Sequence, residues 1–140
     1  MTRYLLAHDL GTSGNKATLF SAEGALIQSV VYPYDTHYFN GTWVEQDAQD
    51  WWKAVCESTR ELLKKTEIQA DAIEAVSFSG QMMGCLCVDK NGIPLRPAII
   101  WADQRATEQS AQIDEKINQY DYYRIVGHRN ICLLYTSDAA

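Results

Sequence analysis

Nine residues near the start of the chain, residues 8–16, read His-Asp-Leu-Gly-Thr-Ser-Gly-Asn-Lys. The apolar run that leads into them, from Tyr4 to His8, predicts a buried strand, and the alternation over residues 16–20 predicts a second strand. A turn from Asp9 to Asn15 would join the two. The chain is therefore expected to begin with an antiparallel pair of strands whose connection is unusually rich in glycine.

This turn has the chemistry of a phosphate-binding site. Gly11 and Gly14 are expected to adopt positive φ and to let the backbone approach a ligand closely. A concave row of backbone N–H groups binds anions. The hydroxyl groups of Thr12 and Ser13 add donors, and Lys16 adds a positive charge. The stretch therefore predicts a site for a phosphate group.

The carboxylate of Asp9 is the member of this stretch that would repel a phosphate. Its presence is explained if a Mg²⁺ ion lies between the two, held by Asp9 directly or through water. Neither the P-loop pattern G-x-x-x-x-G-K-[ST] nor the dinucleotide pattern G-x-G-x-x-G occurs here. On spacing alone, a glycine-rich hairpin with Asp9 and Lys16 at its surface is an equally good interpretation.

The rest of the sequence predicts an α/β layout. After residue 20 the predicted elements are a turn (21–24), a strand (25–32), a polar and aromatic loop (34–46), a helix with Asp47 as N-cap and Lys64-Lys65 at its end, strands at 73–79, 85–88 and 99–101, and a helix that Asp103 begins. Trp51 and Trp52 share an apolar helix face and are expected to pack, whereas Glu45 is expected to be a solvated loop charge. The predicted fold is an antiparallel β-meander that continues into a mixed sheet with flanking helices.

Composition and charge exclude several classes of partner. The chain has 140 residues, a formal net charge of −6 and no basic stripe, so we expect no nucleic-acid partner. No apolar run approaches the roughly 18 residues that span a bilayer, and no signal-peptide core is present, so a cytoplasmic protein without a membrane partner is expected. The four cysteines lack zinc-ligand spacing and are interpreted as free thiols.

Four stretches resemble segments of a known family. Residues 9–13 (Asp-Leu-Gly-Thr-Ser) with Lys16 resemble the first phosphate motif of the actin-like, ribonuclease-H-like ATPase superfamily. The other three are Trp43-Val44-Glu45-Gln46-Asp47 followed by Trp51-Trp52, Ser-Gly-Gln-Met-Met-Gly at 79–84, and Leu-Arg-Pro-Ala-Ile-Ile-Trp-Ala-Asp-Gln-Arg at 95–105. These resemble segments of the FGGY carbohydrate kinases, and the last two resemble the S/A-G-Q-M-H-G and L-R-P-A-I-L-W-N-D-x-R patterns of xylulose kinases. Order and spacing agree to about residue 130.

The resemblance implies a fold, a reaction and a set of site residues. The fold is an actin-like α/β domain, of which this chain is an incomplete first part. The reaction is attack of a sugar hydroxyl on the γ-phosphate of ATP, with Mg²⁺ present, which needs positioning and charge neutralisation more than covalent work. The implied roles are Mg²⁺ binding for Asp9, ATP phosphate binding for Gly11, Thr12, Ser13 and Lys16, and sugar binding for Gln81, Met82, Met83, Trp101 and Asp103.

Four of the five residues with an implied sugar-binding role also have a purely structural interpretation. Met82 and Met83 could be core fillers, Trp101 could be a core residue, and Asp103 is also a good helix N-cap. The xylulose-kinase pattern has histidine where this chain has Met83 and asparagine where it has Ala102, so the sugar stays open. D-xylulose is the first choice, and ribulose, fuculose or gluconate are alternatives. Glycerol is disfavoured because glycerol kinases carry Arg-Glu at positions 82–83. A non-enzymatic actin-like ATPase module would share only the phosphate motif.

The kinase domain is expected to be truncated. Residues 1–131 are interpreted as the N-terminal part of the first domain of an FGGY kinase, and residues 132–140 as a translated sequencing adapter. The resemblance puts the catalytic base and the adenine pocket downstream. No residue here is therefore predicted to be catalytic, and the 140-residue chain alone is expected to be inactive. A homodimer is one state considered for the full-length parent.

Overall fold

A computed structural model describes residues 3–130, so the segment interpreted as adapter-derived lies outside the described residues. In chain order the strands are β1 (Tyr4–Leu10), β2 (Gly14–Ser21), β3 (Leu26–Pro33), β4 (His37–Phe39), β5 (Trp43–Gln46), β6 (Ile73–Gly80) and β7 (Ala98–Ile99). The helices are α1 (Ala48–Thr66), α2 (Thr107–Asp114) and α3 (Gln119–Val126), with a short 3-10 helix at Ala70–Ala72.

The described residues divide into two compact units. Unit 1 consists of residues 3–36 and 47–81, and unit 2 consists of residues 37–46 and 82–130. Among the helices of these residues, none has the length and apolarity needed to cross a bilayer. The described cysteines, Cys56, Cys85 and Cys87, are free thiols, as the sequence predicted for them.

Unit 1 is a four-stranded mixed sheet with α1 packed on one face. The strand order is β3-β2-β1-β6, in which β1, β2 and β3 pair antiparallel and β6 pairs parallel to β1. The core consists of Leu6, Ala17, Leu19, Val30 and Leu62, because inward-facing residues alternate along each strand and meet the apolar stripe of α1. The predicted meander and its continuation into a mixed sheet are confirmed.

Helix α1 begins and ends where its sequence signals predict. The Asp47 side chain accepts a hydrogen bond from the Gln49 N–H at 2.8 Å, and Lys64 and Lys65 occupy the last turn. Trp52, in contrast, is 63% exposed, so its predicted packing is wrong for the described chain. At about 100° per residue, Trp52 lies about 60° beyond Val55 and therefore outside the stripe that the buried residues of α1 define.

Unit 2 contains a three-stranded antiparallel sheet with the order β4-β5-β7. The predicted loop over residues 34–46 is wrong in part, because it contains the β4–β5 hairpin. Asn40 and Gly41 both adopt positive φ at its turn, which is the hairpin signal of an Asn-Gly pair. The strand predicted at 85–88 is also wrong, since only isolated bridges join Cys85 to Ile99 and Val88 to Pro94.

The helices of unit 2 also differ from the prediction. Helix α2 begins at Thr107 and has Ala106 at its N-cap position, so the prediction that Asp103 caps this helix is wrong. Helix α3 was not predicted. Its N-cap is Asn118, whose side chain accepts a hydrogen bond from the Asp121 N–H at 3.0 Å.

Candidate functional site

The phosphate-type residues lie together at one end of unit 1. Asp9 in β1 is the direct cross-strand partner of Lys16 in β2, and both side chains are exposed. The Gly11 N–H donates to the Gly14 carbonyl at 3.0 Å and closes the connection. The turn is thus shorter than the predicted Asp9–Asn15, because regular strand pairing continues to Leu10 and resumes at Gly14. The Asp9 carboxylate and the Lys16 ammonium therefore flank a tight turn.

The backbone conformations of Gly11 and Gly14 differ from the prediction. Among the described residues, the glycines with positive φ are Gly24, Gly41, Gly92 and Gly127, so the positive φ expected at Gly11 and Gly14 is wrong. A Cβ atom on Gly14 would lie 2.7 Å from the Tyr32 carbonyl oxygen and 3.0 Å from the Pro33 Cα. Gly14 is therefore needed for the close approach of β3.

We expect Gly14→Ala to lower the free energy of unfolding by about 1–3 kcal/mol, since the added methyl group overpacks against backbone atoms that have to shift. Gly11→Ala is the matched control, because its Cβ would meet the Gly14 carbonyl oxygen at 3.5 Å, an ordinary contact. Urea denaturation of both variants measures the difference. Equal effects of the two substitutions would contradict the close approach of β3.

Residues 34–36, which the sequence did not predict as part of the site, contact the same turn. The Tyr34 hydroxyl donates to the Gly11 carbonyl, and the Tyr34 N–H donates to the Ser13 carbonyl at 3.4 Å. The Thr36 hydroxyl lies 3.5 Å from the Thr12 carbonyl oxygen. Burial, and then the negative charge of Asp9, raise the pKa of Tyr34 to about 12. No pattern in the sequence marks these contacts, since they join residues 21–24 positions apart.

A buried polar cluster lies on the face of β1 and β2 that is opposite to Asp9 and Lys16. The Asn15 Nδ2 atom is 3.0 Å from His8 Nδ1 and 2.8 Å from Ser58 Oγ. The Thr59 hydroxyl donates to the Val55 carbonyl at 2.7 Å and lies 3.3 Å from His8 Nε2. Because its proton goes to Val55, Thr59 accepts from His8 Nε2–H, which leaves Nδ1 to accept from Asn15. The arrangement requires a neutral His8 and links the hairpin to α1.

We expect the stability of the chain to fall as the pH drops below about 6.5, the ordinary histidine value. Burial lowers the pKa of His8, because the charged imidazolium is poorly solvated there. The unfolded chain therefore binds this proton at a higher pH than the folded chain, so acid favours unfolding. Urea denaturation at several pH values checks this, with His37→Gln, at an exposed position, as the control. A His8 imidazole that titrates by NMR at or above 6.5 would contradict it.

The predicted sugar-binding residues are divided between the two units. Gln81 ends unit 1, where its N–H donates to the Leu10 carbonyl at 2.8 Å. In unit 2, Met82 is 75% exposed, Met83 is 39% exposed and Trp101 is 48% exposed. The alternative that these three side chains fill the core does not hold in the described chain. Met83 also has a φ of +62°, a backbone conformation that side chains other than those of Asn, Asp and His rarely adopt.

The fifth predicted sugar-binding residue, Asp103, is enclosed by protein donors. It is 3% exposed. Its Oδ2 accepts from the Val44 N–H at 2.6 Å and from Arg105 Nη2 at 2.7 Å, and its Oδ1 accepts from the Arg105 N–H and Nε–H, each at 2.9 Å. Burial opposes ionisation, but the bonds from Arg105 and Val44 outweigh it and lower the pKa of Asp103. The geometry gives this carboxylate a structural role, and its sugar-binding role stays a prediction.

Glu45 belongs to the same cluster, so its prediction as a solvated loop charge is wrong. It is 6% exposed in β5. Its Oε1 accepts from Arg105 Nη2 at 2.7 Å and also from Arg96. The Arg105 guanidinium lies 4.0 Å above the Trp43 ring centroid, in a cation–π contact. Two buried carboxylates thus share one nearly buried guanidinium.

The donor set at the turn fits a magnesium–phosphate group. Mg²⁺ in kinases is commonly held by one or two carboxylates, with water and substrate phosphates completing its shell. Asp9 offers one exposed carboxylate of this kind. Within residues 3–130, no group of three or more histidine, cysteine, aspartate or glutamate residues that could hold a metal ion occurs.

Comparison with known proteins identifies relatives across most of the chain. Residues 4–137 match the N-terminal domain of the FGGY family of carbohydrate kinases. The chain is 40% identical over 111 residues to a xylulose kinase of Staphylococcus epidermidis, covering 79% of this chain and 22% of that protein. It is 36% identical over 113 residues to a glycerol kinase of Rippkaea orientalis, covering 80% of this chain and 23% of that protein.

A solved structure, that of a xyloylose kinase from Brucella ovis, superposes with a TM-score of 0.85 at 29% identity and covers 94% of this chain and 27% of that one. The chain thus spans about a quarter of the length of the relatives that it matches. The family match extends into residues 132–137, where the adapter interpretation stays a prediction.

Proposed function

The chain belongs to the FGGY family of carbohydrate kinases, and from this premise we propose that the full-length protein transfers the γ-phosphate of ATP to D-xylulose, giving xylulose 5-phosphate and ADP. The observation that carries the proposal is the 40% identity to a xylulose kinase over 111 residues. The exposed Met82, Met83 and Trp101 support it, because sugar sites combine an apolar platform with a few polar groups.

The residues of unit 1 would handle the phosphate end of ATP. The Asp9 carboxylate would hold Mg²⁺, which neutralises phosphate charge when bound. The turn from Gly11 to Ser13 would offer backbone N–H groups and two hydroxyls to the phosphate oxygens, and the Lys16 ammonium would contact the transferred group. These residues would bind and orient the phosphate groups. The base that accepts the sugar hydroxyl proton is proposed to lie downstream of this chain.

A kinase for another ketose or polyol is the second candidate. Met83 favours it, because this residue stands where the xylulose-kinase pattern has histidine. The identity to a glycerol kinase, 36%, is also close to the 40% identity to a xylulose kinase, so identity alone does not fix the substrate. A thioether is only a weak hydrogen-bond acceptor, so it cannot bind a sugar hydroxyl as an imidazole does. Ribulose, fuculose and gluconate are the sugars that this candidate covers. Glycerol stays disfavoured because residues 82–83 are Met-Met rather than Arg-Glu.

The test begins with DNA sequencing across codons 125–140 from primers outside the segment interpreted as an adapter, followed by expression of the complete reading frame. ATP consumption is then measured with Mg²⁺ and each of D-xylulose, D-ribulose, L-fuculose, gluconate and glycerol. The proposal expects D-xylulose to have the highest kcat/KM. A higher value for another sugar would replace D-xylulose in the proposal, and no turnover of any sugar would favour a non-enzymatic actin-like module.

A further inference from the structure

The segment from Tyr34 to Thr36, which we name the strap, contacts three successive carbonyl groups of the glycine-rich turn. The carbonyls of Gly11 and Ser13 accept from the Tyr34 hydroxyl and the Tyr34 N–H, and the carbonyl of Thr12 accepts from the Thr36 hydroxyl. These contacts lie within unit 1. All three carbonyls therefore turn towards one side.

The orientation of these carbonyls fixes the orientation of the amides that follow them. In a planar trans peptide the N–H of the next residue points opposite to the carbonyl, and the described residues contain no cis peptide bond. The N–H groups of Thr12 and Ser13, which follow the carbonyls of Gly11 and Thr12, thus point away from the strap. Successive N–H groups that point one way form an anion-binding concavity.

We propose that the strap is a positioning element, in which Tyr34 and Thr36 hold the turn so that the Thr12 and Ser13 amides face the phosphate chain of a nucleoside triphosphate. The proposal rests on the proposed function of the turn. Without these donors, the turn carbonyls could rotate towards the phosphate oxygens and repel them. The strap thereby acts on the ligand through the backbone, without touching it.

The chemistry of Tyr34 suits this role. A tyrosine hydroxyl, with an ordinary pKa of about 10, is protonated at neutral pH, so it is able to donate to the Gly11 carbonyl. The Gly11 carbonyl that accepts from the Tyr34 hydroxyl lies two residues after Asp9, the carboxylate that would hold Mg²⁺. The strap thus borders both the phosphate turn and the predicted metal ligand.

The test uses the full-length protein and calorimetric titration with tripolyphosphate and Mg²⁺, a probe that needs no sugar. Tyr34→Phe removes only the hydroxyl, and Tyr32→Phe makes the same change two residues earlier, in β3. Since the donor bond to Gly11 is lost, we expect Tyr34→Phe to weaken tripolyphosphate binding roughly tenfold. Thr36→Val is expected to weaken it by less, because its contact is longer, and Tyr32→Phe is expected to leave it unchanged.

The outcomes separate the strap from the kinase proposal. Unchanged affinity in Tyr34→Phe overturns the strap, whether or not the protein phosphorylates a sugar. Equal loss in Tyr34→Phe and Tyr32→Phe also overturns it, since the effect would then be a general loss of stability, which thermal unfolding of each variant would show. A loss of tripolyphosphate affinity in Tyr34→Phe alone supports the proposal for the strap even if none of the sugars is phosphorylated. In that case only the proposed function fails.

Discussion

Arg105→Met will lower the free energy of unfolding by about 3–5 kcal/mol, because it leaves two buried carboxylates without their shared counter-charge. Glu45 and Asp103 are 6% and 3% exposed, and both accept hydrogen bonds from the Arg105 guanidinium. Methionine fills a similar volume and can still lie against Trp43, so the loss reports mainly on charge and hydrogen bonding. Urea denaturation at pH 7 measures it.

The control for Arg105→Met is Arg60→Met. Arg60 pairs with Glu57 at 2.6 Å, but their side chains are 70% and 40% exposed, and exposed pairs contribute at most about 1 kcal/mol. A loss in Arg105→Met no larger than in this control would show that the cluster is solvated in solution.

The effect of Arg105→Met also has a pH signature. The lowered pKa of Asp103 means that the folded wild type binds this proton more weakly than the unfolded chain does. Asp103 therefore stabilises the fold above about pH 4, its ordinary range, and this contribution is lost as the pH falls. In the variant, Asp103 has lost the Arg105 guanidinium and gains a proton more readily, whereas Glu45 still has Arg96. The difference in stability between wild type and variant is thus expected to narrow between about pH 5 and pH 3.

On the proposed function, we expect Asp9→Asn in the full-length protein to lower kcat for sugar phosphorylation by roughly 100-fold or more. A metal ion contributes several kcal/mol to stabilising charge at a transferring phosphoryl group, and each 1.36 kcal/mol is about tenfold in rate. Asparagine keeps the shape of the side chain but is a poor ligand for Mg²⁺. Because Asp9 is exposed in β1, stability should change little. Initial rates over a series of Mg²⁺ concentrations check both kcat and the metal requirement.

The matched control for Asp9→Asn is Asp71→Asn, the same change at an exposed carboxylate in the short 3-10 helix. It should keep the wild-type rate and the wild-type Mg²⁺ dependence. If Asp9→Asn stays within about threefold of wild type under saturating substrates, Asp9 is not the metal carboxylate, and the phosphate-binding role of the turn would need another charge-neutralising group.

Local signals predicted unit 1 well. Alternation over residues 16–20 and the apolar run before the turn were sufficient to find β1 and β2, and the Asp47 cap was sufficient to start α1, because each signal lies within one element. The turn was predicted too long because cross-strand pairing, which the one-dimensional pattern does not contain, continues through Asp9 and Asn15.

Long-range contacts account for what the sequence did not predict. Glu45 is buried because Arg96 and Arg105 reach it from positions 51 and 60 residues later, so its own neighbours in the sequence suggested only a polar loop. The hydrogen bond from Val44 to Asp103 and the one from Tyr34 in the strap to Gly11 likewise join residues more than 20 positions apart. The family resemblance predicted the phosphate-binding residues by motif, but it contained no information on what holds the turn in place.

The parallel pairing of β1 with β6 has a kinetic consequence. Tyr4 pairs with Ile73, so during synthesis the ribosome has to add the whole meander and α1 before β1 acquires its second neighbour. Contacts of such large sequence separation form slowly, and in the interval the free backbone edge of β1 is a template on which another nascent chain can add a strand. Yield in a host cell should then depend on translation speed and chaperone capacity as much as on the final stability of the sheet.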